Sequence, residues 1–131
     1  MIGLDTNVLV RYLTFDDLEQ TTKAVELIDS LSAEASGFLS LIVLVESVWV
    51  LESFYRFSKD ETIATLDWLL RSRELLVERA DTVWQALREF KTGRAGFADC
   101  LIARCATDAG CRHTMTFDQK AATLSGMKLL H

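Results

Sequence analysis

Short apolar runs alternate with segments of helical periodicity along the whole of this 131-residue chain, and that alternation restricts the possible folds more than any other feature. Residues 1–4, 37–39, 74–78, 112–116 and 127–130 read as brief strands. Residues 6–13, 17–31, 40–57, 81–91 and 97–109 read as helices, with a further helix opened at Ser58 and a short one after Asp118. Strands joined through helices pair in parallel, and the helices cover both faces of the sheet. The expected class is therefore α/β, in one domain over residues 1–131.

Local signals agree with this reading. Ser58 and Glu61 have the spacing of a capping box, Gly110 suits the position just past a helix, and Asp5 or Thr6 can cap the first helix. Asp81 is expected to cap the helix over 81–91. The chain has no proline and six glycines, which disfavours turn-dense all-β folds and disordered tails.

Several function classes are disfavoured at this level. The most apolar run, residues 39–51, is broken by Ser40, Glu46 and Ser47 and is shorter than the ~20 residues a bilayer demands. No signal-peptide pattern opens the sequence, so the expected location is the cytoplasm, with no membrane partner. Cys100, Cys105 and Cys111 are odd in number and lack a C-x-x-C pair, so they read as buried, reduced thiols. No phosphate-binding glycine loop and no Ser-His-acid arrangement is present; His113 lies in a strand and His131 ends the chain.

Four acids carry the chemical signal. In a parallel α/β sheet, ligands bind at the carboxyl ends of the strands. Asp5 follows the first strand and Asp118 follows the strand over 112–116. Glu46 and Asp99 reach the same edge from helices. Glu46 is surrounded in sequence by Val43, Leu44, Val45, Val48 and Trp49, a setting in which burial is costly unless the acid is paired or coordinates a metal. Asp99 lies between Phe97, Ala98, Cys100 and Leu101. Crowded carboxylates repel unless a divalent cation neutralises them, and hard oxygen donors select Mg²⁺ or Mn²⁺. Each acid also has a plain structural role open to it: Asp5 and Asp118 as helix caps, Asp99 as a helix-dipole partner, and Glu46 as a solvent-facing position.

The net charge of -5 runs against a broad basic face for nucleic acid. Local candidates for phosphate contact are Arg11, Arg94, Arg104 and Lys120, with Arg94 foremost because its loop precedes Asp99; each is otherwise a solvated surface charge. Trp49, Phe54, Tyr55 and Trp68 fall on helices and are expected to pack in the core, a docking surface being the alternative.

At this point the residues resemble a family. Leu4-Asp5-Thr6-Asn7-Val8-Leu9 after the first strand looks like the opening motif of PIN-domain nucleases. Glu46 in Leu44-Val45-Glu46-Ser47-Val48 resembles the second motif, Phe97-Ala98-Asp99-Cys100-Leu101 the third, and Thr116-Phe117-Asp118 the fourth. Order, spacing and length are similar to VapC-type toxins of bacterial toxin–antitoxin systems. The resemblance implies a PIN-like three-layer α/β/α sandwich whose central parallel sheet has about five short strands. It implies a Mg²⁺- or Mn²⁺-dependent endoribonuclease with Asp5, Glu46, Asp99 and Asp118 as catalytic metal ligands, and Thr6, Asn7 and Thr116 as supporting polar residues. It further implies a homodimer, an RNA substrate and a VapB-type antitoxin.

Three other readings compete with this one. A haloacid-dehalogenase-like phosphatase has a second acid two residues after its nucleophile, where this chain has Asn7. A response-regulator receiver domain has an adjacent acid pair after its first strand and no counterpart of Glu46. A catalytically silent PIN-type binding domain fits poorly with four intact acids.

Overall fold

A computed structural model describes all 131 residues, Met1–His131. The chain forms two compact units, Met1–Glu78 and Arg79–His131.

The first unit runs β1 (Ile2–Gly3), α1 (Thr6–Thr14), α2 (Leu18–Asp29), β2 (Gly37–Leu39), α3 (Leu41–Ser53), α4 (Lys59–Arg71) and β3 (Leu75–Val77). Its three strands lie in the order β1-β2-β3 and pair in parallel, with Ile2 opposite Gly37 and Phe38 opposite Leu76. Leu75 and Val77 are buried while Leu76 between them is exposed, the period-two pattern of a strand. Gly37 sits where a Cβ would stand 2.9 Å from the terminal methyl carbons of Leu4 and Leu31, so a larger residue would require those side chains to shift. Leu9 and Val10 of α1, Leu44, Val48 and Leu51 of α3, and Leu66 and Leu69 of α4 are buried.

The caps set the helix starts. Ser40 Oγ accepts from Val43 N at the head of α3. At α4 the capping box is complete: Ser58 Oγ accepts from Glu61 N, and Ser58 N donates to Glu61 Oε1. The helix expected over 40–57 stops at Ser53, and Arg56 further on takes a left-handed backbone, φ 58°. The aromatic expectation also needs correction. Trp49 is 67% and Phe54 73% exposed, Trp68 is exposed beside the Tyr12 ring, and Tyr55 is half-buried. α3 is apolar nearly all round, so composition alone does not show which stripe faces inward; Leu44, Ser47, Val48 and Leu51 are the buried one.

The second unit comprises α5 (Ala80–Thr92), α6 (Phe97–Asp108), β4 (Thr114–Thr116), a single 3₁₀ turn (Ala121–Thr123) and β5 (Met127–Leu129). β4 and β5 pair in parallel, Thr114 opposite Met127. α5 and α6 pack together, with Phe90 and Phe97 edge to face at 6.0 Å. Arg79, left-handed at φ 50°, precedes α5, so Asp81 sits inside the first turn and is not the cap. Gly110 takes φ 96° just beyond α6, as expected of a glycine there.

A polar cluster ties α6 to α5. Asp108 Oδ2 accepts from Thr82 Oγ1 at 2.6 Å and from Arg79 Nη2 at 3.2 Å. Arg104 lies 3.6 Å from both Glu89 and Asp108. The Thr82 hydroxyl, with the charges of Arg104 and Arg79, holds the Asp108 carboxyl below its ordinary range. Arg104 thus has two acidic partners within this unit. Of the three thiols only Cys100 is buried; Cys105 is half-buried and Cys111, just past the Gly110 turn, is exposed.

The expected α/β class, with parallel strands alternating with helices, is the observed one. No helix is long and apolar enough to cross a membrane.

Candidate active site

Asp5 leaves β1 with extended backbone, and its Oδ1 accepts from Thr6 N at 2.7 Å, capping α1. One carboxylate oxygen therefore serves the helix and Oδ2 keeps no protein donor. Thr6 is buried, and its Oγ1 donates to Glu46 Oε1. A single threonine thus joins the acid at the end of β1 to the acid on α3. Asp5, Thr6, Asn7 and Glu46 line an open groove of about 560 Å³, with Arg11 and the Phe54–Tyr55 pair also in its wall.

Glu46 is exposed, not buried. The cost of burying an acid therefore does not explain its presence. On α3 it shares the outward side with Ile42 and Trp49, at i, i+4 and i+7 spacing, while Leu44 and Val48 face the core. An acid reaching the groove from a helix whose opposite stripe is buried is fixed in direction by the packing beneath it.

In the second unit, Asp99 lies in the first turn of α6, half-buried. Burial raises its carboxyl above the ordinary carboxylate value, the nearby charge of Asp118 adds to this, and the Gly96 backbone N–H opposes both. Asp118 is exposed beyond β4. Its Oδ1 accepts from Lys120 N at 2.8 Å and Ala121 N at 3.1 Å, while its own N–H donates to Thr116 Oγ1 at 3.0 Å. Thr116 thereby orients Asp118. Asp5 and Asp118 are both local caps, so the structural role open to each from sequence is real and leaves a second oxygen spare.

Arg94 is exposed in the loop before α6 and forms no ion pair. Arg11 is more constrained. Its Nε donates to Gln20 Oε1 at 2.7 Å and its Nη1 to Tyr55 OH at 3.1 Å, and Tyr55 OH donates to Asp16 Oδ2 at 2.8 Å. Sequence reasoning missed Asp16, Gln20 and this use of Tyr55. The partners are 9, 44 and 39 residues apart, and no local period links them.

Within neither unit do three His, Cys, Asp or Glu side chains cluster as a metal cage. In each unit the candidates are nevertheless carboxylates, the hard oxygen donors that suit a divalent cation, and Asp5, Glu46 and Asp118 each keep an oxygen without a protein donor.

The raised Asp99 carboxyl gives a stability prediction. A folded-state value above the unfolded one stabilises the protein below the unfolded value, and that contribution is lost as pH rises through the folded value. At neutral pH, Asp99 is charged at a cost. Asp99→Asn should therefore raise the melting temperature of metal-free protein at pH 7, and the gain should shrink as pH falls into the carboxylate range. An Asn variant that melts earlier at pH 7 would show that Asp99 is held by favourable contacts instead.

The family model for the PIN domain matches residues 2–126. A VapC ribonuclease of Aquifex aeolicus is 23% identical over 118 residues, 89% of this chain and 87% of that protein. The crystal structure of Mycobacterium tuberculosis VapC20, titled a sarcin–ricin loop cleaving toxin, covers 94% of both chains at 21% identity with a TM-score of 0.47. The match over residues 2–126 takes in all four acids and the threonines that orient two of them, and the chain belongs to the PIN-domain family.

Proposed function

We propose that this chain is a Mg²⁺- or Mn²⁺-dependent endoribonuclease, the toxin of a VapBC-type module, acting as a single cytoplasmic domain. The observation that carries the reading is the pairing of acids: Asp5 and Glu46 joined through Thr6, and Asp99 half-buried near the charge of Asp118, its carboxyl raised by burial first and by Asp118 second. The likeness to a curated VapC ribonuclease over most of both chains supports the RNA substrate. The same likeness supports a VapB-type antitoxin that covers the site, and a homodimer.

Asp5, Glu46, Asp99 and Asp118 would hold the metal. When bound, the cation polarises a phosphodiester and lowers the pKa of a water at the scissile phosphorus. The chain's own residues do the positioning. Thr6 fixes Glu46 Oε1 and presents Asp5 through its backbone N–H, so both carboxylates enter the groove with restricted rotamers. Thr116 and the backbone N–H groups of Lys120 and Ala121 fix Asp118. Asn7, exposed in the same groove, supplies a neutral amide within reach of substrate oxygens. Arg11 and Arg94 supply the positive charge that the net composition lacks.

The phosphatase alternative gains no support: Asn7 stands where that chemistry needs an acid, and Glu46 on α3 has no use in it.

Two measurements test the reading together. Purified chain incubated with total cellular RNA should give discrete fragments with Mg²⁺ or Mn²⁺ and none in EDTA. The same cations should raise the melting temperature, since a ligand binding only the folded state adds ~2.7 kcal/mol at a hundred times its Kd. Cleavage that persists in EDTA would remove the metal from the mechanism. No cleavage and no thermal shift would remove the function.

A further inference from the structure

Trp68 of α4 keeps 40% of its surface open to water and stacks on Tyr12 of α1, with ring centres 5.9 Å apart and planes 18° from parallel. Two carboxylates act on this pair: Asp29 at the end of α2 and Glu74 just before β3. Burial first, then the charges of Asp29 and Glu74, raise the Tyr12 hydroxyl above its ordinary value. Neither acid has an ion-pair partner, and the Tyr12 hydroxyl makes no hydrogen bond. Arg73, beside Glu74 in sequence, is exposed and pairs with neither acid. Residues 1–78 hold fourteen Asp or Glu against six Lys or Arg, and two of those six, Lys23 and Arg71, are already paired with Glu19 and Asp67. The unit therefore has no spare cation of its own for this place, and its field selects a positive partner.

We propose that Tyr12, Trp68, Asp29 and Glu74 form a docking site for an arginine side chain presented by a basic segment of a protein partner. An open indole, a free phenol hydroxyl and two unpaired carboxylates match the parts of a guanidinium: a flat cationic face and a fork of N–H donors. Arginine fits better than lysine, because a guanidinium stacks flat on a ring and sheds its water more readily than an ammonium. The stacked pair is set before the partner arrives, so little side-chain freedom is lost at the ring. Neither Tyr12 nor Trp68 lines the groove that holds Asp5 and Glu46, and the site stands whether or not the chain cuts RNA. Trp49 provides an internal contrast: it is 67% exposed and has no stacked ring.

The test is an NMR titration of the full ¹⁵N-labelled chain with a glycine–serine peptide carrying two arginines, at low salt. The indole N–H of Trp68 and the backbone N–H of Tyr12 report the site, and the indole N–H of Trp49 is the control. The first two signals should move and saturate together while the third stays. Trp68→Ala should weaken the affinity at least about threefold, and Trp68→Phe, which keeps a ring, should recover most of it. Asp29→Asn with Glu74→Gln should weaken it at least about fivefold. Glu34→Gln with Asp60→Asn removes the same charge from exposed positions of the same unit and should change it less than about twofold. Lysine in place of the arginines should cost about threefold, and neutral citrulline should abolish binding. Equal losses from the two double variants would reduce the effect to general charge attraction and overturn the site, as would an unmoved Trp68 signal or an equal shift at Trp49. Argininamide binding as tightly as the peptide would assign the site to a free small cation instead. A peptide-free chain whose sedimentation changes with Asp29→Asn and Glu74→Gln would make a second copy the occupant, and either result would overturn the proposal.

Discussion

Asp5→Asn is expected to lower RNA cleavage by at least ~10³-fold while moving the melting temperature by no more than a degree or two. Two jobs would meet at this residue. Its Oδ1 caps α1 through Thr6 N, and in the proposed mechanism its charge helps hold the metal. Asparagine keeps the first job, because its side-chain oxygen accepts the same hydrogen bond and it ranks with Asp at the N-cap. It abandons the second, because a neutral amide binds a hard divalent cation weakly. Asp5→Ala removes both and should cost about 1 kcal/mol of stability in addition to the activity. The pair of variants separates cap from chemistry. If Asp5→Asn retains activity and only Asp5→Ala loses it, Asp5 matters as a cap and the metal reading fails at its first residue.

The same double use explains how much of the site the sequence disclosed. Short motifs around Asp5, Asp99 and Asp118 were visible because each of these acids sits just past a strand or in the first turn of a helix, where local signals are strong; Glu46, inside α3, stood out only as an acid within an apolar run. The capping box at Ser58 and the glycine beyond α6 were legible for the same reason: their partners are three or four residues away. The face of α3 was not legible. With apolar residues on nearly every side, its buried stripe is chosen by the sheet it packs on, so Glu46, Trp49 and Phe54 could not be assigned to solvent from the chain alone. The left-handed Arg79 that starts α5 also gave no signal, since glycine or asparagine is the usual residue there. The Arg11–Tyr55–Asp16 chain lay beyond reach because it closes over dozens of residues. The partners of Arg104 were hidden for a related reason: Glu89 and Asp108 are brought to it by the packing of α5 on α6.

Phe97→Ala is expected to destabilise the chain by about 3–5 kcal/mol, a fall in melting temperature of roughly 10–20 °C. Phe97 is the first residue of α6, 1% exposed, and its ring stands edge to face with Phe90 of α5. Truncation empties a site bounded by Phe90 and the α5–α6 contact, where neighbouring rings cannot collapse without moving a helix. The consequence reaches function because Asp99 lies two residues on. No side chain caps α6, so the direction of its first turn depends on what Phe97 buries. Cleavage should fall even at temperatures where the variant is still folded, and the raised Asp99 carboxyl should relax toward its ordinary value as its burial loosens. Phe97→Leu refills most of the volume and should recover most of both losses. Carbon NMR titration of the Asp99 carboxyl, beside urea unfolding of the three chains, reads both effects. A Phe97→Ala chain that melts within two degrees of the parent would show that α6 is held by the Thr82–Asp108–Arg79 cluster at its other end, and that the aromatic pair is incidental to where Asp99 stands.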